Sequence, residues 1–373
     1  VKILVLNAGS SSLKFALFEG GRRLGGGVVE RIGERDGVKD HREALEIVER
    51  RVAEDGLLHS FDELDAAGHR VVHGGERFTR PVRIDEEVIG AIRATIPLAP
   101  LHNPANLEGI ESMAAKVPTL PQVAVFDTAF HQTMAPEAYL YAIPRELYER
   151  YGIRRYGFHG TSHLHVAKRA AQILGRPLDT LNLVTLHLGN GASACAIRRG
   201  ESIETSMGFT PLEGLVMGTR CGDLDPQIPL FLQRKGMDAE ALLNNRSGLK
   251  GLCGENDMRR IEAMAREGEN EALEAMRIFA RRVRKYIGAY SALLDGVDAL
   301  VFTAGIGEHS APIRQMACGG LEHLGIELDE ERNEKGERRI GTDRSRVEVL
   351  VVPTDEELEI ASQTEAVLSR SRL

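Results

Sequence analysis

Tryptophan is absent from the 373-residue chain, and its four cysteines (Cys195, Cys221, Cys253 and Cys318) are scattered with no Cys-x-x-Cys pair. That scatter fits reduced thiols in a cytoplasmic protein rather than a disulfide framework. No apolar run approaches the ~18 residues that a membrane span needs. The opening Val1-Lys2-Ile3-Leu4-Val5-Leu6-Asn7 has no basic segment, long apolar core or small-residue cleavage site, so no signal peptide is expected. Excess positive charge is missing too. Fifty-five acids against 47 bases leave a net charge of −8, the wrong sign for a general nucleic-acid binder. An anionic ligand would have to be held by a few placed cations. No linker rich in Pro, Ser or Gly interrupts the chain. Its length nevertheless exceeds one ordinary core and predicts two domains, at roughly 150 residues each.

What is there alternates between strands and helices. Lys2 to Leu6 reads as a buried strand, Asn7-Ala8-Gly9-Ser10-Ser11-Ser12 as a small polar turn, and Leu13 to Phe18 as a second strand. The result is a hairpin whose tip exposes hydroxyls and backbone N–H groups. The layout returns mid-chain, where Leu183 to Leu186 leads into His187-Leu188-Gly189-Asn190-Gly191 and then Ala192 to Ile197. This repetition points to a duplicated fold. Apolar spacing predicts helices over 43–52, 86–96, 161–174 and 269–294, the last with a stripe of Tyr286, Ile287, Tyr290, Leu293 and Leu294 behind a polar first half. Buried strands are expected at 123–126, 298–302 and 347–352, which makes the class α/β.

Three glycine-bearing loops follow strands, at 7–12, 187–191 and 305–308. Small residues there let a phosphate approach backbone N–H groups. The Walker pattern and a strand–Gly-x-Gly-x-x-Gly–helix unit are both missing. Gly68-His69-Arg70-Val71-Val72-His73-Gly74-Gly75 carries an arginine in a short strand, and alternation would place Val72 on the face of Arg70, an anion site beside an apolar wall. A strand delivers Asp127 at its carboxyl end, where open α/β sheets place ligands, although a lone Asp more often caps the next segment. His159 and His163 have helical metal spacing without the glutamate of the zinc-protease motif, which argues against zinc. Met217-Gly218-Thr219-Arg220-Cys221-Gly222-Asp223 presents a second arginine in a loop. Arg70 and Arg220, with Glu356 and Glu357 as candidate Mg²⁺ carboxylates, match phosphoryl transfer. The alternative for the two glutamates is a pair of helix N-terminal acids. Both arginines sit at strand ends or in loops, so folding is expected to survive their removal.

Taken together, Asn7-Ala8-Gly9-Ser10-Ser11-Ser12-Leu13-Lys14-Phe15, Gly157-Phe158-His159-Gly160-Thr161-Ser162-His163 and Thr219-Arg220-Cys221-Gly222-Asp223-Leu224-Asp225-Pro226 resemble the acetate kinase family, in order and over essentially the whole chain. The resemblance implies two duplicated actin-like (ribonuclease H-like) α/β domains with a nucleotide cleft between them. Expected boundaries are 1–126 plus 358–373 for the first domain and 127–357 for the second. It implies ATP and ADP, acetate and acetyl phosphate as partners, Mg²⁺ as cofactor with Mn²⁺ able to substitute, no nucleic acid or membrane partner, a homodimer and a cytoplasmic setting. Asn7 and Glu356 would hold the metal, with Lys14 near the phosphates. His187, Leu188, Gly189, Asn190 and Gly191 would cradle phosphates. Asp257, Met258 and Arg259, with Gly305, Ile306, Gly307, Glu308 and His309, would border the adenosine. Arg70 would take the acetate carboxylate, while Asp127, His159 and Arg220 surround the transferred phosphoryl group. Val72, Leu101, Phe158 and Pro211 would line the methyl pocket.

The chain departs from the family pattern in three places. His309 stands where the family usually has Asn, Gly254-Glu255-Asn256 replaces a serine-rich pair, and the stretch from Phe18 to Asp65 is short. The alternatives to acetate are propionate or butyrate with the same fold, and, from a different class, a nucleotide-gated clamp with no small acceptor. Val72 beside Arg70 counts against the clamp.

Overall fold

The computed structural model describes residues 1–100 and 102–370. Contacts divide the chain into a first unit, Val1–Gln132 with the stretch from Asp355 onward, and a second unit, Thr133–Thr354. Asp127 and Glu356, which boundaries at 126/127 and 357/358 assign to the second domain, therefore fall with Arg70 in the first unit. The cause is local: the Asp127 N–H donates to Val71 O, and the helix Glu356–Arg370 packs on the first unit's sheet.

The first unit is built on β1 (Lys2–Ala8), β2 (Ser12–Glu19), β3 (Arg22–Glu30), β4 (Ala66–Val71), β5 (Val82–Arg83) and β6 (Gln122–Phe126), in the order β3-β2-β1-β4-β6-β5. β1 and β2 form the expected antiparallel hairpin, with Asn7 opposite Lys14. β4 runs parallel to both β1 and β6. Successive side chains of β1 point to opposite faces, and both faces are buried. Leu4 and Leu6 join Phe15 of β2, with Leu45, Val48 and Met113 from helices His41–Glu54 and Asn103–Lys116. Ile3 and Val5 join Phe18, Val123, Val125 and Ile360 under the helix Glu356–Arg370. That helix lies close because Gly68 lets it: a Cβ at Gly68 would stand 2.4 Å from Thr364 Oγ1 and 3.0 Å from Ile360.

In the second unit β7 (Asn182–Leu188), β8 (Ala192–Arg198), β9 (Glu201–Thr205), β10 (Ala299–Thr303) and β11 (Glu348–Val351) follow the order β11-β10-β7-β8-β9. β7, β8 and β9 are antiparallel neighbours, and β10 runs parallel to β7 and β11. Read from the other edge, this repeats β3-β2-β1-β4-β6. The expected duplication is present. The helix Gly160–Leu174 ends on Gly175 in the left-handed conformation, which only glycine adopts without strain. The helix Asn270–Leu294 corrects one expectation: Ala272, Met276, Phe279 and Val283 bury its supposedly polar first half, whereas Leu293 is exposed. Among the described residues no helix is long and apolar enough to cross a membrane.

Candidate functional site

In the first unit the pairing of β4 with β6 sets Val71 opposite Phe126 and so brings Arg70 beside Asp127. Arg70 donates through Nε to both carboxylate oxygens of Asp127 at 3.0 and 3.1 Å, and through Nη2 at 2.6 Å. Glu356 Oε2 lies 3.7 Å from the same Nε. Burial works against the Arg70 charge, but Asp127, Glu356 and Glu357 outweigh it and hold its pKa above the ordinary value. For Asp127 burial pushes the carboxyl upward and Arg70 pulls it back. Asp127 occupies one edge of the guanidinium. Its Nη1 makes no hydrogen bond among the described residues, which leaves donors for a second carboxylate.

Asn7 ends the hairpin arm next to this strand pair. Its side-chain amide is half-buried and makes no hydrogen bond among the described residues. The turn beyond it is pinned from behind. Asn106 Nδ2 donates to Ala8 O at 2.7 Å, and His41 Nε2 lies 2.9 Å from Gly9 O. Asn106 Oδ1 also accepts the Val72 N–H at 3.0 Å, and Asn103 brackets His73 through its N–H and its carbonyl. β4 stops at Val71, and the Asn106 side chain takes the Val72 N–H that a ladder would have used. Val72 is buried nonetheless. Lys14 is exposed, and Glu356 and Glu357 begin a helix, so they are N-terminal acids as well as candidate ligands. Leu101 lies outside the described residues.

Asn7 and Glu356 offer hard oxygen donors. No group of three or more His, Cys, Asp or Glu among the described residues is placed to hold a metal. An all-protein cage is not what Mg²⁺ needs, since it binds through one or two carboxylates, waters and substrate phosphates. Glu356, with only the long contact to Arg70, keeps its oxygens available for that. These residues fit Mg²⁺.

In the second unit three segments converge. His159 stands at the N-terminal end of the helix Gly160–Leu174 in a left-handed conformation (φ 56°), which is uncommon for a non-glycine residue. Its ring stacks on His187 at 4.1 Å between centroids. His187 Nδ1 lies 2.8 Å from Ser162 Oγ, which lies 2.8 Å from Thr354 Oγ1, whose backbone N–H donates to Glu308. Gly191 closes the β7–β8 turn, and a Cβ there would stand 2.9 Å from Arg220 Nη2 and 3.4 Å from His159 Nε2. The missing side chain leaves room that Arg220 and the His159 ring both border. Arg220 donates to Pro211 O at 2.8 Å and has no acid partner among the described residues. Burial lowers its pKa. A half-buried guanidinium with no carboxylate beside it keeps donors suited to phosphate oxygens. Phe158 is buried and Pro211 half-buried.

The 187–191 segment is the expected hairpin tip, with His187 and Leu188 still in β7. The 305–308 segment is not a loop: residues Ala304–His309 form a short helix directly after β10, entered through Ala304 at φ 63°. His309 projects into solvent. Asp257 caps the helix Met258–Arg266 and pairs with Arg259, whose hydrogen bonds lower its pKa to about 2. Two arginines escaped the sequence reading, Arg314 buried and Arg155 half-buried. Arg314 binds the carbonyls of Gly307 and Glu308, both at 2.9 Å, and so fastens the short helix. Arg155 joins Glu213 at 2.7 Å and Glu204 at 3.3 Å to the carbonyls of Thr205, Ser206 and Met207. The only signal for either was an arginine among small or aromatic neighbours. The asparagines Asn103 and Asn106, at helical spacing on an apolar face, were a readable one.

A model of the acetokinase family matches residues 2–362. An acetate kinase from Sulfurovum sp. is 52% identical over 394 residues, covering 99% of this chain and all of that protein. Among solved structures, Porphyromonas gingivalis acetate kinase is similar with a TM-score of 0.94 and 43% identity, over 98% of this chain and 99% of the other. A propionate kinase from Francisella tularensis is similar with a TM-score of 0.93 and 42% identity, over the same shares.

Proposed function

The chain belongs to the acetokinase family and catalyses the reversible transfer of the ATP γ-phosphoryl group to acetate, giving acetyl phosphate and ADP, and on that premise we propose how its residues divide the reaction. The obstacle is electrostatic. A carboxylate must approach a polyanion, and only placed positive charge and oriented donors can offset the repulsion. Arg70 takes the acetate carboxylate on the guanidinium edge that Asp127 leaves open. Asp127 keeps that guanidinium in one orientation, so little motion is lost when substrate arrives. Acetate is already ionised at neutral pH, so no strong general base is required.

Arg220 and His159 contact the transferred phosphoryl group over Gly191. The turn formed by His187, Leu188, Gly189, Asn190 and Gly191 carries the phosphates, with Lys14 as a further cation. Asp257, Met258 and Arg259 border the adenosine along with Gly305, Ile306, Gly307, Glu308 and His309. In the first unit, Val72 is assigned to the methyl group of acetate. Asn7 and Glu356 hold Mg²⁺, with Mn²⁺ as a substitute. When bound, the ion neutralises phosphate charge and fixes the nucleotide's oxygens. The observation that carries this reading is Arg220, without an acid partner among the described residues, bordering the space at Gly191.

The chain acts in the cytoplasm as a homodimer. Its four cysteines are all free, and Leu224, Ile228, Leu230, Phe231 and Met237 expose an apolar stretch suited to a second copy. Acetate-dependent ADP release, with the product trapped by hydroxylamine as the acyl hydroxamate, tests the reaction. Loss of turnover on chelation, restored by Mg²⁺, tests the metal. ATP turnover indifferent to acetate would favour a nucleotide-gated clamp. A preference for propionate or butyrate would move the substrate while leaving the kinase in place.

A further inference from the structure

Behind His159 lies a chain of buried hydroxyl and imidazole groups whose proton positions follow from counting donors. Thr185 Oγ1 is 2.7 Å from His163 Nδ1, His163 Nε2 is 2.8 Å from Ser193 Oγ, and Ser193 Oγ is 2.9 Å from His159 Nδ1. Thr185, His163 and Ser193 are fully excluded from solvent. β7 supplies Thr185, β8 supplies Ser193, and the helix Gly160–Leu174 supplies His163, so three elements fix the geometry.

A hydroxyl has one proton to donate and two lone pairs. Buried, that proton needs an acceptor, because it has given up water and gains nothing if left unpaired. Among the described residues the Thr185 hydroxyl has one hydrogen-bond neighbour, His163 Nδ1. Its proton therefore points there, and Nδ1 accepts. The neutral His163 ring carries its proton on Nε2 and donates it to Ser193 Oγ. Ser193, having accepted from His163, turns its own proton to its remaining neighbour, His159 Nδ1. His159 then carries its proton on Nε2. The opposite polarity would strand the Thr185 proton at the closed end of the chain.

We propose that Thr185, His163 and Ser193 are positioning residues that hold His159 as the neutral Nε2–H tautomer, aimed as a hydrogen-bond donor at the space over Gly191. The proposal rests on the reading of His159 as a phosphoryl contact. Nε2 is the ring nitrogen bordering that space, 3.4 Å from where a Cβ on Gly191 would stand, and Arg220 Nη2 borders it at 2.9 Å. The stacking on His187 keeps the ring plane in place while the chain sets its protons. A protonated His159 would donate from Nδ1 to Ser193 and leave the Ser193 proton with no acceptor. The arrangement thus favours a neutral donor beside the fixed charge of Arg220.

The test uses the full chain with ¹⁵N-labelled histidine, His159 being assigned by the resonances lost in His159→Gln. The parent should show a pyrrole-type Nε2 and a pyridine-type Nδ1 for His159 at pH 8. Thr185→Val keeps the branched shape but removes the terminal donor, and should move the His159 pattern toward the tautomer average without touching the residue. Ser193→Ala should move it further and lower kcat by roughly tenfold, with KM for ATP and acetate within about twofold. A parent with its proton on Nδ1 overturns the proposal and needs no variant to fold. An unmoved His159 pattern in both folded variants overturns it too. Full turnover by His159→Gln would instead overturn the phosphoryl reading and leave the tautomer assignment standing.

Discussion

Arg70 lies edge-on to Asp127, with both oxygens of the buried carboxylate taken by the Nε and Nη2 of one guanidinium. The pair serves structure and chemistry together, which the arginine's strand-end position did not suggest. Removing one member of a buried ion pair is worse than never having had it, because the other charge stays behind.

Arg70→Ala should therefore destabilise the protein by about 3 kcal/mol, against the expectation that folding survives its loss. The penalty should depend on pH, with a definite sign. Without the arginine, the upward push of burial on Asp127 loses its main counterweight. The folded carboxyl then titrates above its unfolded value of ~3.9. A group raised in this way adds stability that is fully present below the unfolded value and lost as pH climbs through the folded one. Urea melts of the variant should show a smaller deficit at pH 5 than at pH 8. A deficit that grows on acidification would mean Asp127 stays charged by other means.

Arg220→Ala should behave in the opposite way. Among the described residues no acid pairs with Arg220, whose hydrogen bond goes to Pro211 O. Turnover should fall about a hundredfold, as when one preorganised charge donor is removed, while the melting temperature stays within a degree or two. Near-normal kcat would detach Arg220 from the phosphoryl group. A large loss of stability would mean that the carbonyl contact, not an anion, is its purpose.

The contrast between the two arginines shows where sequence reading stopped. Both hairpins were legible because strand alternation and a glycine turn are encoded within a dozen residues. The Arg70–Asp127 pair joins residues 57 apart, and only the β4–β6 register brings them together. The short helix Ala304–His309 was misread as a loop for a related reason. Its glycines argue locally against a helix, and the carbonyl bonds from Arg314 that hold its end come from outside the segment. Leu293 failed differently: it fits an apolar stripe by spacing, but the helix already buries Tyr290 and Leu294 on the face that packs.

Arg155→Met tests whether the missed network matters for stability alone. Its guanidinium ties Glu204 and Glu213 to three successive carbonyls, and its pKa is held above the ordinary value because the carboxylates of Glu213 and Glu204 outweigh the effect of burial. Truncation leaves two acids and those carbonyls without their donor, so a loss of about 3–5 kcal/mol is expected. KM for acetate and ATP, measured well below the melting temperature, should stay within about twofold. A variant as stable as the parent would show that water replaces the guanidinium.

Val72 carries the prediction about acyl length. Its backbone is pinned, with the N–H on Asn106 Oδ1 at 3.0 Å, and its side chain is buried two residues from Arg70. Shortening the side chain should therefore open space without shifting the arginine that orients the carboxylate. A β-branched wall at this position leaves room for a methyl group and crowds anything longer. Each further methylene that did fit would gain only ~0.8 kcal/mol from burial, so exclusion rather than attraction must set the preference. Val72→Ala should lower KM for propionate and butyrate while leaving that for acetate similar or higher. One methylene is worth roughly 1–3 kcal/mol in a hydrophobic pocket, so the change in kcat/KM preference should be tens of fold and not thousands. The cavity should also cost some stability, on the order of 1–2 kcal/mol, which a melt at saturating acetate would reveal. If the variant's propionate-to-acetate ratio matches that of the parent, the side chain packs away from the substrate, and the end of β4 at Val71 is the reason.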